Sequence, residues 1–208
     1  MYLSKLEVDF ETAGKLYLTD LYRWHQHSWD LFPGRNHEKR QFLTRLDPVA
    51  PGFRFYTLSA IEPVCPKWVP RESFQVKKIH ESFLSYTLYR FDLRANPTKK
   101  IKSFNEKGEE KKNGKRIALL KEEDLLQWLN RKAEANGFEV IQNPKPEIEP
   151  PVQNAFFKDK SFRGSHFGAV FKGILKVKDP ALFKKAFLEG IGSAKSFGFG
   201  MLLLQPVK

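Results

Sequence analysis

Cysteine is nearly missing, and the single Cys65 excludes an internal disulfide and every metal motif built on a cysteine pair. The five histidines, His25, His27, His37, His80 and His166, are scattered without HExxH or comparable spacing, so neither a metal centre nor a cofactor is expected. No apolar run approaches the roughly 18 residues that span a bilayer, and Met1-Tyr2-Leu3-Ser4-Lys5 lacks the apolar core of a signal peptide. A soluble, cytoplasmic protein is expected. Acidic side chains are scarce beside basic ones, 24 against 36 in 208 residues, and the formal net charge of +12 points to a polyanion such as nucleic acid. Charge alone leaves a membrane surface or an acidic protein open. Aromatic residues, by contrast, are plentiful at 14%, with 19 phenylalanines that can serve both core and base stacking. A hydrophobic content of 41% excludes a disordered basic tail.

Alternation of Tyr2, Leu6, Val8 and Phe10 with polar residues predicts an opening strand. Thr19 or Asp20 caps a helix from Leu21 to about Phe32, stopped by Pro33-Gly34. Arg40 to Leu46 and Phe53 to Ile61 follow as a hairpin. The prolines at 63, 66 and 70 leave room for a degenerate helix at most, and Ser73 to Ile79 closes the set. The second half repeats this order. Its strand at Tyr89 to Ala95 is followed by a Lys-rich stretch, Thr98 to Arg116, expected as a solvated loop. A helix from Lys121 to Asn136 and a strand from Phe138 to Gln142 come next. The linker Pro144 to Pro151, a hairpin of Asn154 to Arg163 with His166 to Val177, a helix from Asp179 to Glu189 and a strand from Gly200 to Gln205 complete the chain. Strand, helix, strand, strand, helix, strand is the split βαβ pattern. The expected fold is α+β, two tandem ferredoxin-like (βαββαβ) domains over residues 1–84 and 85–208.

Three stretches carry candidate chemistry. Tyr22 and His25 share a helix face at i and i+3, placing a phenol beside an imidazole suited to proton transfer near neutral pH. Arg23 adds charge nearby. With RNA this pair needs no external nucleophile, because an aligned ribose 2′-OH attacks the adjacent phosphorus. Half-buried packing of both side chains is the competing explanation. In the second stretch, Lys158, Lys160 and Arg163 interleave with Phe157 and Phe162 at a hairpin tip, where they reach phosphates. Lys115 and Arg116, with Lys99 and Lys100, form a less specific basic segment. The third is Gly190-Ile191-Gly192-Ser193-Ala194-Lys195-Ser196-Phe197-Gly198-Phe199-Gly200, whose free N–H groups suit an anion. It runs from helix into strand, which argues against a dinucleotide fingerprint; a flexible connection is the alternative.

This glycine-rich loop resembles that of the repeat-associated superfamily of CRISPR proteins. Tyr22-Arg23-Trp24-His25, Phe91-Asp92-Leu93-Arg94-Ala95-Asn96-Pro97 and Gly114-Lys115-Arg116-Ile117-Ala118-Leu119 resemble the CasE family more closely, over essentially the whole chain. The resemblance implies a metal-independent endoribonuclease of the type I-E Cascade complex, cutting at the 3′ base of a CRISPR repeat RNA hairpin and retaining the product. It implies His25 as catalytic histidine and Tyr22 as its partner. Lys158, Lys160 and Arg163 then lie against the RNA stem, with Lys195 and Gly190, Gly192, Gly198 and Gly200 near its backbone. Other Cascade subunits are implied partners, with no membrane role and a monomeric isolated chain. Gln26 stands where some relatives carry a basic residue, which leaves Arg23 or a more distant lysine for transition-state charge. A noncatalytic repeat-RNA-binding subunit is the alternative, and a general RNA-binding module a third.

Overall fold

The computed structural model describes residues 1–35, 38–102, 104–105, 108–109, 114–157 and 163–207. Apolar alternation builds strand β1 (Tyr2–Asp9), with Leu6 and Val8 buried. The strand stops where Asp9 turns from strand residue to N-cap, its Oδ1 accepting from the Thr12 N–H at 2.6 Å. A short helix absent from the sequence reading follows, α1 (Phe10–Lys15). Helix α2 (Leu21–His27) is capped by Asp20 and runs on as a 3-10 turn over Ser28–Leu31. Then come the hairpin β2 (Phe42–Val49) and β3 (Gly52–Ser59) and the strand β4 (Phe74–Lys78). No α-helix stands between β3 and β4, where the prolines leave loop and a 3-10 turn at Arg71–Ser73.

The second half opens with β5 (Leu88–Ala95), which buries Tyr89, Phe91, Leu93 and Ala95 on one face. The Lys-rich stretch differs from the expected loop: β6 (Thr98–Ile101) and β7 (Lys115–Ala118) pair antiparallel. β-Branched Thr98, Ile101 and Ile117 supply strand propensity among the lysines. After α3 (Glu122–Ala135) and β8 (Phe138–Val140) comes a long hairpin of β9 (Glu147–Phe157) and β10 (Arg163–Val177), then α4 (Pro180–Glu189) and β11 (Leu202–Pro206). The expected proline linker is thus largely strand. Pro150 and Pro151 fall where the β9–β10 register slips between Gly168 and Val170, a bulge that needs no N–H from either proline.

The two larger sheets are antiparallel. One has the order β2-β3-β1-β4 and the other β11-β5-β10-β8, with β9 and β8 using successive parts of the same β10 edge. Counting only β5, β8, β10 and β11 in the second half, both read fourth, first, third, second, the order of the ferredoxin-like fold expected from the sequence. Leu125, Trp128 and Leu129 of α3 and Phe183 and Phe187 of α4 pack on the second sheet; Leu21 and Trp24 of α2 pack on the first. Each core borrows from the other half: Leu43 and Leu58 join the second, and Phe199 joins the first.

A charged network also ties the halves. The Arg45 side chain is 4% exposed; its Nε donates to both Asp47 oxygens at 2.9 Å, and its Nη1 donates to Asp92 Oδ1 at 2.7 Å. Arg94 donates to the Leu46 carbonyl and to Asn154 Oδ1. Two carboxylates around one buried guanidinium satisfy its fork and fix the angle between the sheets.

Candidate active site

Helix α2 begins well because Asp20 Oδ1 accepts from the N–H groups of Tyr22 and Arg23, both at 2.9 Å. Leu21 and Trp24 anchor it, and the Trp24 indole stacks on Phe55 with centroids 5.4 Å apart. Tyr22, His25 and Trp29 then form a half-buried stripe at the edge of the anchored face. Ser28 Oγ closes the turn by donating to the His25 carbonyl at 2.6 Å. His25 Nδ1 is buried and meets no hydrogen-bond partner. Burial, then the Arg40 guanidinium, hold this imidazole below the ordinary histidine range, so it rests neutral.

The second half meets this helix at two places. The tip end of β9 is tied to the cap: the Phe157 N–H donates to Asp20 Oδ2 at 3.1 Å across 137 positions of sequence. The 3-10 turn Lys195–Phe197, at the centre of the glycine-rich loop, packs on α2 and on β2. Arg40 fastens that turn by donating from Nη1 to the Lys195 carbonyl at 2.7 Å. Burial draws both Arg40 and Lys195 below their usual ranges, and for Lys195 the Arg40 charge adds to burial against an opposing pull from Glu189. His25, Arg40 and Lys195 thus gather three cationic or protonatable groups in one seam.

Arg40 is the residue that sequence reasoning missed. It ends a charged run between helix and strand, and nothing in its neighbours signals a partner 155 positions away. Arg23, offered from sequence as a source of charge, is exposed and reaches Gln26 Oε1 at 3.4 Å.

The loop glycines do hold positive φ, between 77° and 91° at Gly190, Gly192, Gly198 and Gly200. Gly190, Gly198 and Gly200 are buried, and Gly192 is half-buried. At Gly200 a Cβ would meet the Ile191 carbonyl at 2.6 Å, so this glycine serves close packing of the loop on itself. The half-buried stretch Gly192 to Phe197 is what the loop offers outward. The motif around Arg94 and Asn96 supports it: the Gly200 N–H donates to the Arg94 carbonyl at 2.7 Å, and Ser193 Oγ to the Asn96 carbonyl at 3.3 Å. His166 sits behind, stacked on Phe156 at 5.1 Å and edge-on to Phe197 at 4.6 Å, with Asn96 3.2 Å from its Nδ1.

The remaining basic candidates flank this seam. Arg163 is exposed, its guanidinium 5.6 Å over the half-exposed Phe157 ring. Lys115 and Arg116 are exposed on β7, with Lys100 opposite Arg116, in a hairpin that springs from Asn96-Pro97. Lys158, Lys160 and Phe162 lie outside the described residues, as do His37, Lys111 and Lys112. Among the described residues no group of three His, Cys, Asp or Glu is placed to hold a metal ion, and no helix is long and apolar enough to cross a membrane.

Three comparisons bear on this site. CasE, a CRISPR system Cascade subunit of Escherichia coli (strain K12), is 31% identical over 211 residues, covering 100% of both chains. The CRISPR-associated endoribonuclease Cse3 of Thermus thermophilus is 28% identical over 141 residues, 64% of this chain and 63% of that one. A structure of Cse3 bound to a 19-nucleotide RNA superposes with a TM-score of 0.79 at 24% identity, covering 99% of this chain and 100% of the other. The family model described as CRISPR associated protein matches residues 1–206. With that match and the end-to-end likeness to CasE, the chain belongs to the CasE family of CRISPR-associated proteins.

Proposed function

We propose that the chain is the endoribonuclease that processes CRISPR precursor RNA and stays with its product as a Cascade subunit, in the cytoplasm. The observation that carries the reading is the half-buried His25 on α2, its Nδ1 without a partner, on the helix where Arg40 and the glycine-rich loop of the other half come together. Family membership supports it: the matched relatives are a Cascade subunit and an endoribonuclease.

The chemistry follows from RNA itself. The 2′-OH at the base of the repeat hairpin attacks the adjacent phosphorus, its proton leaves to a base, the P–O5′ bond breaks and the 5′ oxygen takes a proton. The products are a 2′,3′-cyclic phosphate and a 5′-OH. No water is consumed, since the nucleophile is internal. A neutral imidazole accepts or relays a proton at His25, and the Tyr22 phenol positions the ribose. Burial of His25 suits this role, because an imidazole already protonated at neutral pH cannot act as base.

The exposed Arg163 and Phe157 lie against the RNA stem, joined by Lys158 and Lys160, which fall between them in sequence. Lys115 and Arg116 track phosphates at the other flank, and Arg23 does so from α2. Lys195 with the outward part of the glycine-rich loop holds the backbone near the cut, while Gly190, Gly198 and Gly200 let that loop pack closely. The two ferredoxin-like units divide at residues 84 and 85.

His25→Ala tests the reading: cleavage of labelled repeat RNA falls about 10²–10⁴-fold with hairpin affinity nearly unchanged, and Tyr22→Phe loses less. Normal cleavage by the His25 variant would leave a noncatalytic RNA-binding subunit as the correct account.

A further inference from the structure

The seam between α2 and the glycine-rich loop holds a cation with no acidic partner among the described residues. Arg40 is half-buried, its guanidinium 5.9 Å from the Phe42 ring centroid, and its hydrogen bond is to a main-chain carbonyl, that of Lys195. Among the described residues no carboxylate pairs with it, whereas Arg35 and Arg54 each have one and Arg45 has two. A desolvated guanidinium without an acid is costly unless an anion arrives from outside. Lys195, fastened through its carbonyl to Arg40, is a second cation at the seam, on which Glu189 exerts an opposing pull. Arg40 before β2 is the charged group that acts on His25, Tyr22 shares its helix face, and the N-cap acid of that helix, Asp20, has both oxygens engaged by N–H groups.

We propose that Arg40 and Lys195, beside His25, form a phosphodiester site that binds the scissile phosphate, and that Arg40 supplies the positive charge opposing the dianionic phosphorane. The site rests on the endoribonuclease reading and fills the gap left by Gln26. As the O2′–P bond forms and the P–O5′ bond breaks, negative charge grows on the two non-bridging oxygens. A planar guanidinium meets two such oxygens at once, a geometry that a lysine ammonium lacks. Its fastening to the Lys195 carbonyl and its packing by Phe42 fix it before substrate arrives, so little reorganisation is spent in the transition state. The same positive charge helps to keep His25 neutral.

The test is single-turnover cleavage of repeat RNA by saturating Arg40→Gln and Arg40→Lys proteins, together with an NMR titration of the His25 imidazole in the RNA-free full chain. Arg40→Gln lowers the rate about 10²–10³-fold, the usual loss when one preorganised donor to a developing oxyanion is removed; Arg40→Lys recovers part of it. Arg40→Gln also raises the His25 pKa and moves the acidic limb of the pH–rate profile to higher pH, which a purely structural role would not do. Arg40→Met, keeping an alkyl stem over Phe42, replaces Arg40→Gln if the latter melts below the assay temperature. Wild-type rate and an unmoved His25 titration in a folded Arg40 variant would overturn the site while an inactive His25→Ala keeps the enzyme. Full activity in His25→Ala would instead overturn the reading beneath it.

Discussion

Asp20 does two separable things, and two substitutions tell them apart. Its Oδ1 caps α2 through the N–H groups of Tyr22 and Arg23, while its Oδ2 accepts from the Phe157 N–H and so moors the basic hairpin to the helix carrying His25. A helix cap contributes about 1 kcal/mol, and the partly exposed bond to Phe157 about 0.5 to 1.5 kcal/mol. Asp20→Ala removes both, about 1.5 to 2.5 kcal/mol in all. Asparagine caps as well as aspartate, but its amide turns a donor toward Phe157, so Asp20→Asn loses only the second contribution. At about 2–4 °C per kcal/mol for a chain of this length, the melting temperature drops by about 3 to 10 °C in Asp20→Ala and about 1 to 6 °C in Asp20→Asn. Calorimetric melts measure both. Single-turnover cleavage measures the mooring: both variants slow by on the order of ten- to a hundred-fold, because the hairpin no longer registers the RNA against α2. Asp20→Asn with wild-type cleavage would show that the contact does not position substrate, and equal melting losses in the two variants would refute the division of labour.

Gly200→Ala places a Cβ 2.6 Å from the Ile191 carbonyl at φ +89° and lowers stability by about 2 kcal/mol or more. Gly14→Ala, in the last turn of α1 with nothing within 4 Å of the added Cβ, raises it by up to about 1 kcal/mol, and urea titration compares the two. Stability also depends on pH through His25 and His166. Burial, first for both, holds their folded pKa values below the ordinary one, so the unfolded chain binds more protons in that window. Their contribution is full above about pH 6.5 and is lost as pH falls through the folded values. His166→Gln flattens the acidic arm of a melting series between about pH 5 and 8.

Much of the fold was legible because each half buries one face of each sheet. Tyr89, Phe91, Leu93 and Ala95 alternate and are buried as that pattern demands. Helix α1 was hidden because Phe10 continues the period of β1, and only the Asp9 cap reveals the change. The β6–β7 hairpin was hidden by its lysines, whose charge outweighs the β-branched residues between them. Tyr22 and His25 were legible as an i, i+3 pair on a capped helix. Arg40 was not, because its meaning comes from contact with a loop 155 residues later. The glycine-rich loop was read as a surface for phosphate; its buried glycines also serve the packing between halves, which local sequence does not encode.

The central claim is that RNA supplies its own nucleophile to a metal-free site on α2. The direct measurement is single-turnover cleavage in excess EDTA of two repeat RNAs, one all-ribose and one with a single 2′-deoxy nucleotide 5′ to the cut, with product ends analysed. The account predicts cleavage of the first at its full rate, ending in a 2′,3′-cyclic phosphate and a 5′-OH, and none of the second. Loss of activity in EDTA, or cutting of the deoxy substrate, would contradict it.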